Sequence, residues 1–211
     1  MSTCSIREIS CPSCGAVNKS RMWIGMEASA DPELRRRILD ETLFDWKCPD
    51  CGAGAQMIYP CLYCDRENGF LVCLSPNGRT PAVREAEQRL PEFPGVKKRL
   101  VDSAAALKEK ILIFEAGLDD LAVEMVKLAL RELVEKKRGA AADRAFYLAK
   151  SGELDYIGFE MFLSGVEKPV YQGVRMEVYR KAVQVAQSSG FADEGFQQVD
   201  AALAQTLLEQ Q

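Results

Sequence analysis

The 211-residue chain contains no histidine. That removes the side chain that most often serves as a general base near neutral pH, and the commonest neutral metal ligand. Serine–histidine, cysteine–histidine and His-Glu-x-x-His chemistries are excluded. Long apolar runs are missing too. The most apolar stretch, residues 118–134, is broken by Asp119, Asp120, Glu124, Lys127, Arg131 and Glu132, whereas a membrane-spanning helix needs roughly 18 apolar residues in a row. No basic segment leads into an apolar one in Met1-Ser2-Thr3-Cys4-Ser5-Ile6-Arg7-Glu8, so no secretion signal is read there and a cytoplasmic protein is expected. With 47% apolar residues, 27% charged residues and a net charge of −4, collagen-like, fibrous and disordered classes fall away. One large or two small globular domains are expected.

What the chain has instead is cysteine. All eight cysteines fall between Cys4 and Cys73, and six of them form Cys-x-x-Cys pairs. In a chain expected to stay in a reducing compartment, such pairs point to metal or redox chemistry before disulfides. Cys11-Pro12-Ser13-Cys14-Gly15 and Cys48-Pro49-Asp50-Cys51-Gly52 are one five-residue device used twice. Two residues between the thiols let a tight turn present both sulfurs to one ion. The proline presets φ, and the glycine accepts a positive φ that turns backbone N–H groups toward sulfur. Four soft thiolates from Cys11, Cys14, Cys48 and Cys51 would select Zn²⁺ in a closed, structural, tetrahedral site. Binding would also fold this part of the chain.

A thiol redox motif competes, because Cys-Pro-x-Cys can lower a thiol pKa. Such a motif should open a helix in a βαβ unit, whereas each pair here follows an expected strand and precedes glycine. Iron–sulfur clusters are usually announced by tighter cysteine spacing. The third pair, Cys61 and Cys64, lacks the internal proline and trailing glycine. With Cys73 and Cys4 it could hold a second metal by ligand count, but packing as small buried hydrophobes accounts for these thiols equally well.

The periodicities predict an α+β protein. Residues 1–75 read as a zinc-ribbon-like antiparallel β unit with an inserted helix, residues 76–96 as a connector with a short helix over 82–90, residues 97–190 as an α+β part, and 191–211 as a tail helix. Strands are expected over 3–10, 16–24, 43–47, 55–59 and 70–74, the last two flanking the turn at 65–69. Asp31-Pro32-Glu33 opens a helix reaching about Glu41, with Asp31 as cap. In the second part a strand is expected over 97–101. A helix capped by Asp102 or Ser103 then carries Leu107, Ile111 and Phe114 on one face and stops at Gly117. A helix over 118–136, a hairpin of 146–149 with 154–162, and a helix over 176–187 complete that part. The tail helix places Val199, Ala202, Leu203 and Leu207 on one side.

Beyond the cysteines, Asp31-Pro32-Glu33-Leu34-Arg35, the run from Leu43 to Gly52, Tyr59-Pro60-Cys61-Leu62-Tyr63-Cys64-Asp65 and the run from Ile111 to Asp120 follow one another in order. In these segments, spanning about residues 4–130, the chain resembles the bacterial and archaeal CpXC domain proteins. The departure is Cys64, where the family often carries histidine. The resemblance implies the zinc site and the fold, and says nothing about role.

Three function classes can be weighed. A non-enzymatic zinc-binding module that organises a surface for a protein partner asks least of the sequence. A nucleic-acid role would draw on Lys97-Lys98-Arg99 and Arg35-Arg36-Arg37, but a sequence pI near 5.2 opposes it and the arginine run reads as a solvated helix face. An enzyme would need Asp119, Asp120 and Glu124 as paired carboxylates, whereas their place at a helix start suits capping and the helix dipole. No phosphate-cradling loop accompanies them, and no catalytic residue is assigned.

Overall fold

A computed structural model describes residues 1–89 and 95–210. The turn-rich stretch expected over 90–94 lies outside the described residues. The chain divides into two compact units, Met1–Lys108 and Glu109–Gln211, each α+β.

Unit 1 begins with β1 (Thr3–Ser10) and β2 (Val17–Glu27), antiparallel from Thr3↔Gly25 to Ser10↔Val17. Helix α1 (Pro32–Leu39) follows, burying Leu34 and Ile38. Asp31 occupies the cap position without capping: its carboxylate accepts the backbone N–H of Ser2 at 3.3 Å instead. Two short strands, β3 (Asp45–Lys47) and β4 (Gly54–Gln56), form a separate hairpin. Strands β5 (Cys61–Asp65) and β6 (Phe70–Leu74) make a second antiparallel hairpin. Its turn is locked by the buried Asp65 carboxylate, which accepts the backbone and side-chain N–H groups of Asn68 at 3.0 and 2.8 Å.

Helix α2 (Pro81–Arg89) precedes β7 (Lys97–Val101), which pairs in parallel with β6. The large sheet therefore runs β1-β2-β5-β6-β7, with a parallel step between β2 and β5 as well. The strand at 97–101 belongs to this first sheet rather than to the second part. Strand β5 lies where a metal-type motif was read instead of a strand. Its residues are buried on both faces apart from Leu62, so no polar alternation marks it.

Helix α3 (Ala104–Glu115) crosses from one unit to the other, and the Ser103 hydroxyl accepts the Ala106 N–H at its start. In unit 2, α4 (Asp120–Arg138) is the central element, in contact with α5 (Met176–Ser188), α6 (Ala201–Glu209) and β8 (Ala142–Ser151). Asp119 caps α4 through the Ala122 N–H at 2.9 Å, and Gly139 closes it at φ +67°. Strand β8 pairs with β9 (Tyr156–Leu163), which pairs with β10 (Val170–Arg175). Ile157, Phe159, Met161 and Leu163 face inward and are buried, as period-2 alternation requires. Strand β10 is an addition to the expected hairpin: it runs straight into α5 with no turn residue to separate them.

The acidic pair at the start of α4 departs from its expected role. Asp119 does cap, but Asp120 and Glu124 are buried in a chain of charges with α3. Lys110 lies 2.9 Å from Asp120 and 3.4 Å from Glu124, and Lys127 lies 2.9 Å from both Glu124 and Glu109. Asp120, Glu124 and Lys127 recur at i, i+4 and i+7, one face of α4.

Candidate metal centre

Each cysteine pair sits at the tip of a β hairpin, Cys11 to Cys14 between β1 and β2 and Cys48 to Cys51 between β3 and β4. The two tips are built alike. The Gly15 N–H donates to the Cys11 carbonyl at 2.9 Å and the Gly52 N–H to the Cys48 carbonyl at 2.9 Å, while the Cys11 and Cys48 N–H groups reach Ala16 and Ala53 carbonyls at 2.8 Å each. Gly15 and Gly52 close these turns at φ +74° and +75°, the left-handed conformation that glycine adopts without steric cost.

These turns bring four sulfurs together. All lie within 4.8 Å of one another. Two of the close approaches cross between the motifs: Cys11 Sγ to Cys51 Sγ is 3.7 Å and Cys14 Sγ to Cys48 Sγ is 3.8 Å. Four thiolates about 2.3 Å from a central ion would stand about 3.8 Å apart at the corners of a tetrahedron, so the donor set fits such an ion. A disulfide would need about 2.05 Å, and all eight cysteines are free. Cys11 and Cys48 are buried, Cys14 and Cys51 exposed. Around them the Ser13 N–H points to Cys11 Sγ at 3.4 Å, and Asn18 Nδ2, 4.0 Å from Cys48 Sγ, is held by the Asp50 carboxylate at 2.7 Å. Asn18 was not anticipated; the only hint was its partner Asp50 inside the second motif.

The electrostatics of the four sulfurs suit a cation. The Cys14 and Ser13 amides outweigh burial at the Cys11 sulfur and bring that thiol down to about 6. At Cys14 the Ala16 amide favours the thiolate, yet the Cys51 sulfur, burial and the sulfurs of Cys11 and Cys48 push it up to about 12. Cys51 is also raised: the Ala53 amide and the Cys14 sulfur help it ionise, but burial, Cys48 and Cys11 oppose it more strongly. Four sulfurs this close cannot all ionise by themselves, and a divalent ion at their centre removes the conflict.

The third pair behaves differently. Cys61 and Cys64 are three residues apart on β5, so their side chains leave opposite faces of the strand. Burial pushes Cys61 up to about 12, and Cys64 and Cys73 up to about 11, with Glu27 adding at Cys64 and Glu87 at Cys73. Among the described residues, Cys11, Cys14, Cys48 and Cys51 form the one group of three or more candidate ligands within reach of a single ion.

The basic runs are largely engaged locally. Arg36 pairs with Glu33 at 2.6 Å and Asp40 at 3.1 Å, Arg37 donates to the Thr42 and Leu43 carbonyls at 3.2 Å, and Arg99 is buried. No described helix is long and apolar enough to cross a membrane.

Fold and site together define an α+β protein with a four-cysteine metal-type centre between two hairpin tips. Residues 9–127, more than half of the chain, match the model of the CpXC protein family, and the chain belongs to that family. No curated protein and no solved structure matches it.

Proposed function

We propose that the protein is a non-enzymatic, cytoplasmic zinc-binding module in which one structural Zn²⁺, held by Cys11, Cys14, Cys48 and Cys51, organises unit 1 as a docking surface for a protein partner. The carrying observation is the four-sulfur cluster, whose distances between motifs match the edges of a thiolate tetrahedron. Zinc is favoured over harder divalent ions because every donor is a thiolate, and four protein ligands leave no open position for substrate. The same closure argues against thiol exchange at Cys11 and Cys14, because each sulfur would be committed to the ion.

The surface of the β1–β2 ribbon, which carries the Cys11–Cys14 tip, supports the partner reading. Ile6, Val17 and Ile24 on the β1–β2 ribbon are 66%, 60% and 46% exposed. Apolar side chains left in water along an ordered ribbon suit protein docking more than phosphate contact, and the engaged basic runs add to that preference.

The experiment is metal analysis on wild type and a Cys11→Ser, Cys48→Ser double variant, with tryptophan fluorescence as the folding readout. Trp23 and Trp46 both lie in unit 1. One zinc per wild-type chain, lost together with the folded tryptophan signal in the variant, is the expected result. A metal-free, folded wild type with a reversible Cys11–Cys14 disulfide would overturn the proposal.

A further inference from the structure

The outer face of the unit 2 sheet, opposite the buried row on β9, gathers rings and guanidinium groups around a floor without side-chain bulk. The register sets Arg144 beside Phe162, then Phe146, Glu160 and Tyr171 in one row across the strands. Ala149, Gly158 and Gly173 form the next row, and Ser151, Tyr156 and Arg175 the last. The Tyr156 ring crosses Gly173, where an added Cβ would meet it at 3.4 Å. Arg175 Nε donates to the Tyr156 hydroxyl at 3.1 Å, which fixes that ring. The Arg144 guanidinium lies 4.6 Å from the Phe162 ring centroid, and Phe146 packs edge-on to the same ring at 6.1 Å. Tyr171 is 66% exposed.

Charge on this face is mixed. Asp155 is ion-paired with Arg180 at 3.0 Å, whereas Glu160 and Asp143 accept neutral hydroxyls, of Tyr171 at 3.1 Å and of Ser164 at 2.7 Å. Arg144 and Arg175 contact rings instead, and among the described residues neither forms an ion pair with a carboxylate.

We propose that this face binds single-stranded nucleic acid, two or three bases stacking on Tyr171, Tyr156 and the Phe146–Phe162 pair while Arg144 and Arg175 meet phosphates. Every base has a π face, so rings on an open sheet accept a strand with little sequence preference, and a guanidinium already stacked on a ring is placed for phosphate without first breaking an ion pair. From Phe162 to Tyr156, β9 spans about 20 Å at 3.4 Å per residue, enough for about three nucleotides. The acidic balance that opposes electrostatic capture by the whole chain does not oppose stacking. It requires only that few phosphates contribute. The proposal concerns unit 2 and stands or falls independently of the metal.

The test is fluorescence anisotropy of the full-length, metal-loaded protein with a labelled mixed-sequence single-stranded RNA dodecamer, the same DNA strand, and its duplex. Saturable binding of a single strand is expected, with a shallow salt slope of about −1.4 for two phosphates. RNA and DNA arms that agree mean that stacking and phosphate suffice, and an RNA-only result means that the 2′-hydroxyl is read as well. Duplex, whose bases are already stacked, should bind at least about ten-fold more weakly, and Tyr171→Ala or Arg144→Ala should each weaken single-strand binding about ten-fold. Both altered side chains are exposed, so these variants should fold like wild type. Absence of single-strand binding, binding unaffected by both substitutions, or saturable binding of a neutral oligosaccharide in place of the strands would overturn the proposal.

Discussion

Unit 1 and unit 2 solve the burial of polar chemistry in opposite ways. Unit 1 collects all the cysteines and brings four sulfurs together, an arrangement in which all four can be thiolates only with a cation at their centre. Unit 2 has no cysteine; it sets Glu109, Lys110, Asp120, Glu124 and Lys127 in a buried chain where two lysines alternate with three carboxylates. The β1–β2 ribbon of unit 1 shows water most of its residues, whereas Phe159, Ile157, Met161, Val123 and Ala122 of unit 2 are wholly buried. Unit 1 does have a packed part, the β5–β6 hairpin with Tyr63, Phe70, Leu71, Val72 and Leu74 buried; on the proposed reading a metal supplies folding free energy to β1 to β4, where such packing is sparse.

The largest expected effect breaks the comparison on one side only. Chelation of a metal-loaded sample should remove a contribution on the order of 10 kcal/mol, collapsing hydrogen-exchange protection in β1 to β4 while α4 and β9 stay protected. Uniform loss of protection would show that the two units do not differ in this way. The second effect is on the other side. Lys127→Met leaves Glu109 and Glu124 without their shared cation, and losing one partner of a buried pair costs about 3–5 kcal/mol. Urea denaturation followed by far-UV circular dichroism should show that loss in unit 2, with metal content unchanged.

Smaller changes sharpen the picture. Gly52→Ala must place a side chain at φ +75°, where a Cβ would approach only the end of the Lys47 side chain at 3.9 Å. The cost should be the backbone term alone, about 1–2 kcal/mol, read as a modest loss of unit 1 stability with the metal retained. Asp119→Ala removes the cap of α4 and should cost unit 2 about 1 kcal/mol in thermal denaturation. The smallest effect is kinetic. In the metal-loaded protein, with thiols raised to about 12, 11 and 11, Cys61, Cys64 and Cys73 stay protonated at pH 8 and should alkylate slowly, whereas exposed Cys4 should react first. Mass mapping of iodoacetamide adducts over time checks this order.

The metal centre was legible because its chemistry is local. A five-residue turn announces itself by Cys, Pro and Gly, and two copies state the ligand count. Strands β1, β2 and β3 were legible for the same reason, whereas β4 (Gly54–Gln56) falls short of the expected 55–59 and pairs with β3, leaving β5 rather than 55–59 to face 70–74 across the turn. Strand β5 was obscured by its own cysteines, which suggested a motif, while its continuous burial removed the alternation that marks a half-buried strand. Strand β10 ends where α5 begins, with Arg175 giving way to Met176 and no glycine, proline or asparagine between them. The placement of β7 beside β6 depends on a parallel pairing across α2, a long-range choice that no local signal encodes. Asp120 and Glu124 were visible as acids on a helix start, but their burial depends on Lys110 arriving from α3. The outer sheet face became visible only once the register of β8, β9 and β10 put their rings side by side.

The central claim is that one metal ion bound by four thiolates holds unit 1 together. Native mass spectrometry of the intact chain tests it most directly. The account predicts a single species carrying one zinc ion with all eight cysteines unoxidised, and loss of that ion in the Cys11→Ser, Cys48→Ser variant. A folded, metal-free chain lighter by two hydrogens, with Cys11 bonded to Cys14, would contradict it.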